Sequence, residues 1–89
     1  MIKILGKVVK NNKIIKEHIE EFDDNKNYQE NLKACITKIC HELDISKPYW
    51  LPSNLDEYNN RSKLAFDENN FIEDINFDKF IIEELNIDK

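Results

Sequence analysis

The chain has 89 residues, of which 40% are hydrophobic and 35% are charged, and its formal net charge is −5. A single domain of this length, spanning residues 1–89, removes only roughly 60–65% of the unfolded chain's surface from water, so its core is small. The mean hydropathy is −0.67, and no apolar run approaches the length of a membrane span. These features predict a cytoplasmic protein without a membrane segment.

The first elements are predicted to form a β-hairpin with strands over residues 2–10 and 13–22. Both runs are rich in Ile and Val, as is typical of strands. Asn11 and Asn12 between them supply two residues that tolerate the positive φ of a tight turn.

A regular turn at this point predicts a pairing register in which Val8 faces Ile15 and Ile4 faces Ile19. One face of the hairpin is then largely apolar and the other is mixed, which indicates a sheet covered on one side. The same register places Glu17 on the apolar face, where an unpaired carboxylate is costly. A β-bulge that turns Glu17 outward is the favoured interpretation, and a buried functional carboxylate is the alternative.

The next element is predicted to be a long helix over residues 28–44. Asn27 is a good N-cap residue, Glu30 stands three residues further on, and Pro48 lies just past the end. Six apolar side chains recur at helical spacing and form one stripe: Tyr28, Leu32, Cys35, Ile36, Ile39 and Leu43.

The rest of the chain is predicted to contain two short helical turns and a final strand. Ser53 caps one turn, which extends to about Asn60, and Asp67 caps the other. Residues 64–66 form a short strand or a packed loop, and residues 77–86 form the last strand. The order predicts an α+β fold: an antiparallel sheet of three or four strands, built from the hairpin and the C-terminal strand, with the long helix on one face.

The soft metal ligands of the chain are few: Cys35, Cys40, His18 and His41. Cys35 and Cys40 are about 140° apart around the predicted helix, so they cannot form a disulfide with each other. Their spacing also differs from the close pairs of zinc sites, which favours reduced thiols that pack in the core. Glycine-rich phosphate loops and nucleophile motifs are absent too. We therefore expect a protein that is not an enzyme, without cofactor, metal or catalytic residues.

The segment Pro48-Tyr49-Trp50-Leu51-Pro52 contains both prolines and the single tryptophan of the chain. Two fixed φ angles and two missing N–H donors exclude an interior strand or the middle of a helix. The segment is either a lid over one end of the core or a contact surface, and the pattern leaves both open.

The contact-surface alternative predicts a small protein-interaction module. Tyr, Trp and Arg are enriched at interface hot spots, so the candidate contact residues are Tyr49, Trp50, Tyr58 and Arg61. The partner is expected to be another protein, or a second copy that pairs through a sheet edge.

A second hypothesis is binding of nucleic acid or another anionic ligand. The candidate anion contacts are the lysines around the hairpin tip: Lys7, Lys10, Lys13 and Lys16. A sequence pI of about 5.0 disfavours this hypothesis, because phosphate contacts dominate nucleic-acid affinity.

Three stretches of the chain form a distinctive combination. They are Met1-Ile2-Lys3-Ile4 through Lys13-Ile14-Ile15-Lys16, then Lys47 to Pro52 with Asn54-Leu55 and Glu57-Tyr58-Asn59, and finally Asp78-Lys79-Phe80. Together they resemble a group of small uncharacterised proteins from low-GC Gram-positive bacteria such as clostridia, with Pro-Tyr-Trp-Leu-Pro as the most specific part. The resemblance implies a bacterial cytoplasmic protein and carries over no catalytic or binding residue.

Overall fold

The structure, a computed structural model, describes residues 2–23 and 27–85. Its elements are, in chain order, β1 (Ile2–Lys10), β2 (Lys13–Phe22), α1 (Tyr28–Leu43), α2 (Pro52–Arg61), β3 (Lys63–Phe66), a 3-10 turn (Glu68–Asn70) and β4 (Lys79–Leu85). The four strands form one antiparallel sheet in the order β2-β1-β4-β3. The predicted α+β class with an antiparallel sheet is therefore confirmed.

The core lies between one face of the sheet and the two helices. α1 packs over β1 and β2, and α2 packs beside β3. The inward face of β1, β3 and β4 is largely apolar and contributes Ile4, Val8, Leu64, Phe66, Phe80 and Ile82, while α1 contributes Leu32, Cys35, Ile36, Ile39, Cys40 and Leu43. The predicted apolar stripe of α1 is thus the surface that it buries, apart from the half-buried Tyr28 at its first position. In the described part of the chain, no helix has both the length and the apolar character needed to cross a membrane.

The hairpin has the predicted strands and turn but a different register. Asn11 and Asn12 have φ values of 54° and 65°, and Val9 pairs with Ile14. The register then shifts between Val8 and Val9, so that Val8 faces Lys16 instead of Ile15. The predicted register is wrong beyond this point, because one extra residue is inserted in β2.

This bulge decides which side chains β2 turns towards the helix. Ile4 faces Glu20 instead of Ile19, and Glu17 faces Lys7 on the side away from α1. The predicted bulge that turns Glu17 outward is confirmed, since Glu17 is exposed. The inward side of β2 consequently carries Lys16, His18 and Glu20 besides the half-buried Phe22, and Ile14 and Ile19 lie on the solvent side.

The prediction of one long helix with two short turns is wrong for the second helix. α2 is a regular helix of ten residues that begins at Pro52, and its N-cap is Leu51 rather than the predicted Ser53. Proline suits a first helical position, because its φ is preset and its missing N–H would have no partner within the helix. The helix ends where Ser62 adopts a left-handed φ of 55°.

The element after Asp67 is shorter than predicted. It is a single 3-10 turn over Glu68–Asn70, in which the Asp67 side chain accepts the backbone N–H of Asn69 as a cap. The strand predicted over 77–86 begins at Lys79 and extends to Leu85, and residue 86 lies outside the described residues.

Candidate functional site

The segment from Pro48 to Pro52 links α1 to α2 and alternates between the core and the surface. Pro48 is buried and Trp50 is partly buried. Tyr49, which lies between them, is 56% exposed, and Leu51, which follows Trp50, is 41% exposed. Alternation of this kind is what an extended backbone imposes on successive side chains. The segment is therefore a lid through one set of side chains and an exposed surface through the other.

Trp50 forms the lid. Its ring meets the ring of Phe66 edge-on with a centroid separation of 5.4 Å, and that of Tyr58 at 6.2 Å. Phe66 is fully buried, so Trp50 closes the core where α2 meets β3. Edge-to-face pairs of this geometry stabilise a fold beyond the apolar area that they bury.

Two buried asparagines fix the backbone of the segment. The N–H of Tyr49 donates to the carbonyl of Asn70 at 2.6 Å, and the Asn70 side-chain amide donates back to the carbonyl of Tyr49 at 2.7 Å. The same amide donates to Oδ1 of Asn54 at 2.7 Å, and Oδ1 of Asn54 also accepts the N–H of Leu51 at 2.8 Å. Buried polar groups must be satisfied in this way to avoid a desolvation penalty. The backbone on both sides of Trp50 is thus held in place.

Sequence reasoning missed Asn54 and Asn70. They stand 16 residues apart in an asparagine-rich chain, and no local pattern distinguishes them from the exposed asparagines. Their importance comes from burial and convergence, which are properties of the folded chain.

A groove runs between α1 and this segment. Its volume is about 380 Å³, and its lining includes Lys33, Ala34, Thr37, Lys47, Tyr49 and Trp50. Two lysines and no carboxylate belong to this lining, although the chain as a whole has a net charge of −5. Ile36 and Pro48 in the lining are buried and apolar, whereas Lys33 and Lys47 are exposed, so the groove is apolar at its base and positively charged at its rim.

The four predicted contact residues do not form one patch. Tyr49 is exposed and Trp50 is half-buried, as described above. Tyr58, which the contact hypothesis placed at the surface, is only 3% exposed and lies in the core. Arg61 is exposed at the end of α2, where its Nη1 lies 3.9 Å from Oε2 of Glu57 and it lines a separate groove beside β3.

Tyr58 instead belongs to a half-buried polar cluster. The hydroxyl of Tyr28 donates to Oε1 of Glu84 at 2.9 Å and lies 3.1 Å from the hydroxyl of Tyr58, which is 3.5 Å from the same carboxylate oxygen. Burial above all, and then the neighbouring Tyr28 and Glu84, raise the pKa of Tyr58 far above its ordinary value. The hydroxyl of Tyr58 therefore stays protonated, and the cluster ties α1, α2 and β4 together.

The four candidate anion-binding lysines are divided between the two faces of the sheet. Lys7 Nζ lies 3.9 Å from Oε1 of Glu83 on the face away from the helices. Lys16 lies on the helical side, where its Nζ donates to the carbonyl of Leu43 at 2.8 Å. Lys10 and Lys13 face each other at the exposed tip. Only these last two share one exposed location.

The two cysteines are free thiols in the core. Burial raises the pKa of Cys35 to about 11 and that of Cys40 to about 12, and a nearby Glu20 adds to the shift of Cys35. Because the thiolate is the nucleophile and the metal ligand, both residues are chemically unreactive in the folded state. Within residues 2–23 and 27–85, no group of three His, Cys, Asp or Glu side chains could hold a metal ion.

Comparison with protein-family models, with curated proteins and with solved structures finds no match to this chain. The resemblance to small clostridial proteins therefore stays a prediction.

Proposed function

We propose that this protein is a small, non-enzymatic interaction module that presents Tyr49 and Leu51 to a protein partner. The observation that carries the proposal is that two side chains of this segment are exposed while its backbone is held in place. Tyr49 and Leu51 project into solvent from a backbone that two buried asparagines hold by hydrogen bonds. Folding alone does not require two large apolar side chains to be displayed in this way.

Fixation of the backbone favours binding, because association otherwise loses the conformational freedom of the contact segment. Tyrosine is well suited to such a position, since it combines a large apolar ring with a hydrogen-bonding hydroxyl and few rotatable bonds. The adjacent groove offers an apolar floor into which a partner's side chain fits beside the ring of Tyr49.

The chemistry of the remaining polar groups supports a non-enzymatic role. The pKa values of both thiols and of Tyr58 are raised by burial, so these groups are protonated at neutral pH. The Glu84 carboxylate is engaged by tyrosine hydroxyls. These groups serve to hold the fold together.

The test is affinity purification from the native host with the wild-type chain and matched variants as bait. Tyr49→Ala and the double variant Tyr49→Ala with Leu51→Ala are expected to lose a protein that the wild type retains. Ile72→Ala is the control, because Ile72 is 79% exposed and lies in the loop between the 3-10 turn and β4. This control is expected to retain the same protein as the wild type.

Identical sets of captured proteins for wild type and the Tyr49 variants would contradict the proposal. The anion-binding hypothesis has a different signature. Salt-sensitive capture of nucleic acid that survives Tyr49→Ala, and is lost when Lys10→Glu and Lys13→Glu are combined, would favour that hypothesis instead.

A further inference from the structure

The strand β2 lies at an edge of the sheet and has one neighbour, β1, among the described residues. It is ten residues long, whereas the opposite edge, β3, has four residues and packs beside α2. A long edge strand exposes a row of unpaired backbone N–H and C=O groups, which can pair with another strand. β2 is therefore the larger open edge of the fold.

The side chains of β2 include unusually exposed isoleucines. Ile14, Ile15 and Ile19 are 53%, 49% and 50% exposed. They are three of the six large hydrophobic side chains that are exposed in the described part of the chain. The edge thus combines free backbone groups with apolar surface.

The charges of β2 are arranged so that the strand complements itself. Its first half carries Lys13 and Lys16 with one acid, Glu17, and its second half carries the acids Glu20 and Glu21. When two copies of such a strand run antiparallel, the basic half of each lies beside the acidic half of the other. This favours a second copy of the chain as the occupant of the edge.

We propose that two copies associate through antiparallel pairing of β2 with β2, about a twofold axis at His18. The two sheets then form one continuous eight-stranded sheet. In this register Lys16 of each copy faces Glu20 of the other, so two ion pairs flank the axis on the helical side. The two Ile19 side chains lie diagonally across the axis on the other face, within reach of each other.

The other central registers are disfavoured by like charges. In an antiparallel pair, two directly opposed residues have their side chains on the same face of the sheet. Because the faces alternate along the strand, the twofold axis must pass through a residue, and moving the axis by one residue changes each pairing by two positions. An axis at Lys16, Glu17 or Glu20 places that residue against its own copy. An axis at Ile19 places Glu17 against Glu21. Among the centres from Lys16 to Glu20, only His18 pairs lysine with glutamate and opposes neither two lysines nor two acids.

The existing contacts of Lys16 and Glu20 leave room for these pairs. Lys16 Nζ uses one of its three hydrogens on the carbonyl of Leu43. Glu20 accepts from His18 through Oε1 at 2.9 Å, and its Oε2 lies 3.9 Å from Nζ of Lys38. Both charged groups therefore lie on the helical side and keep capacity for a partner. The bulge at Ile15 twists the strand and ends regular pairing beyond Lys16.

Sedimentation velocity over a dilution series tests the charge pairs. The wild type is expected to form a dimer that dissociates on dilution. Glu20→Lys and Lys16→Glu are each expected to raise the dimer Kd by roughly tenfold or more, because each replaces two attractive pairs with two repulsive ones. The double variant, with the two charges exchanged, is expected to recover the dimer. Glu68→Lys makes the same change of charge in the 3-10 turn, away from β2, and is expected to leave the Kd unchanged.

Disulfide trapping tests the register independently. His18→Cys places two thiols opposite each other at the axis, where the spacing of Cα atoms in antiparallel pairs permits a disulfide. Oxidation is expected to give a covalent dimer, whereas Ile72→Cys gives none beyond background. The two native thiols are buried and do not compete. A wild type that stays monomeric to its solubility limit, a dimer indifferent to the charge reversals, or no trapping at His18→Cys would overturn the proposal.

Discussion

Gly6 and Ile39 set the distance between the sheet and α1. A Cβ atom placed on Gly6 would lie 2.5 Å from Cγ2 of Ile39 and 3.1 Å from Cε1 of Phe80. Both neighbours are fully buried, so neither is free to move aside without disturbing the core. The single glycine of the chain thus stands where the helix packs directly on the backbone of β1.

Gly6→Ala is expected to destabilise the fold by about 1–3 kcal/mol, because the added methyl overpacks a closely packed core. Urea denaturation monitored by circular dichroism measures this as a lower midpoint with an unchanged slope. Adding Ile39→Leu to Gly6→Ala should recover part of the loss, since leucine lacks the Cγ2 methyl that causes the clash. Equal stability of Gly6→Ala and the wild type would show that α1 does not pack against β1 as described.

Trp50→Ala is expected to reduce the free energy of unfolding by about 2–4 kcal/mol, because it removes the ring that covers Phe66. Tyr49→Ala should change it by no more than about 0.5 kcal/mol, because the ring of Tyr49 is exposed. Thermal and urea unfolding of the two variants provide the comparison. A large loss of stability in Tyr49→Ala would mean that its ring supports the fold, and loss of binding in this variant would then have no functional meaning.

Asn70→Ala is expected to destabilise the protein by about 1–3 kcal/mol, because Oδ1 of Asn54 and the carbonyl of Tyr49 each lose a buried hydrogen bond. Hydrogen exchange should also accelerate at the N–H groups of Tyr49 and Leu51. Asn69→Ala is the matched control, since Asn69 is exposed in the same turn. Unchanged exchange in Asn70→Ala would contradict the role of this amide in fixing the segment.

The buried thiols predict a loss of stability at alkaline pH. In the unfolded chain they ionise near pH 9.0, whereas in the folded protein the pKa values are about 11 for Cys35 and about 12 for Cys40. Above pH 9.0 the unfolded chain therefore binds fewer protons than the folded one, and the free energy of unfolding falls as the pH rises towards those values. Each thiol contributes a slope of at most about 1.4 kcal/mol per pH unit within this window.

Urea midpoints measured from neutral to alkaline pH check this slope. The double variant Cys35→Ala and Cys40→Ala should have lower stability at neutral pH but a shallower decline above it. A wild-type protein with the same alkaline slope as the double variant would contradict the burial of the thiols. A thiol-specific reagent gives a second readout, since it should react with the native chain only at the rate of unfolding.

The hairpin illustrates how far local pattern determines this fold. Asn11 and Asn12 define the turn, and the Ile and Val runs define both strands, because turn geometry and strand propensity act over a few residues. The register beyond the turn depends on which face of β2 meets α1. The bulge fixes the register and keeps Glu17 on the face away from α1. Its insertion at Ile15 could not be located from the alternation of apolar and polar residues alone.

In the candidate site, tertiary contacts decide more than the local sequence pattern does. The aromatic segment and its two prolines are visible in the sequence, yet its division into lid and exposed surface depends on Phe66 and Asn70. Tyr58 is of a residue type that is typical of contact surfaces, but the packing of α2 and the hydrogen bonds near Glu84 hold it in the core.

The α+β class, the hairpin and the position of α1 follow from the amino-acid sequence alone, since periodicity, turn residues and helix ends are encoded within short windows. Three further features became apparent only in the folded chain: α2 is a full helix, Asn54 and Asn70 hold the segment around Trp50, and Tyr49 remains at the surface. These features depend on contacts between residues that are distant in sequence. Burial and hydrogen-bond satisfaction join residues that lie far apart in sequence, and they come together only when helices and sheet close around one core.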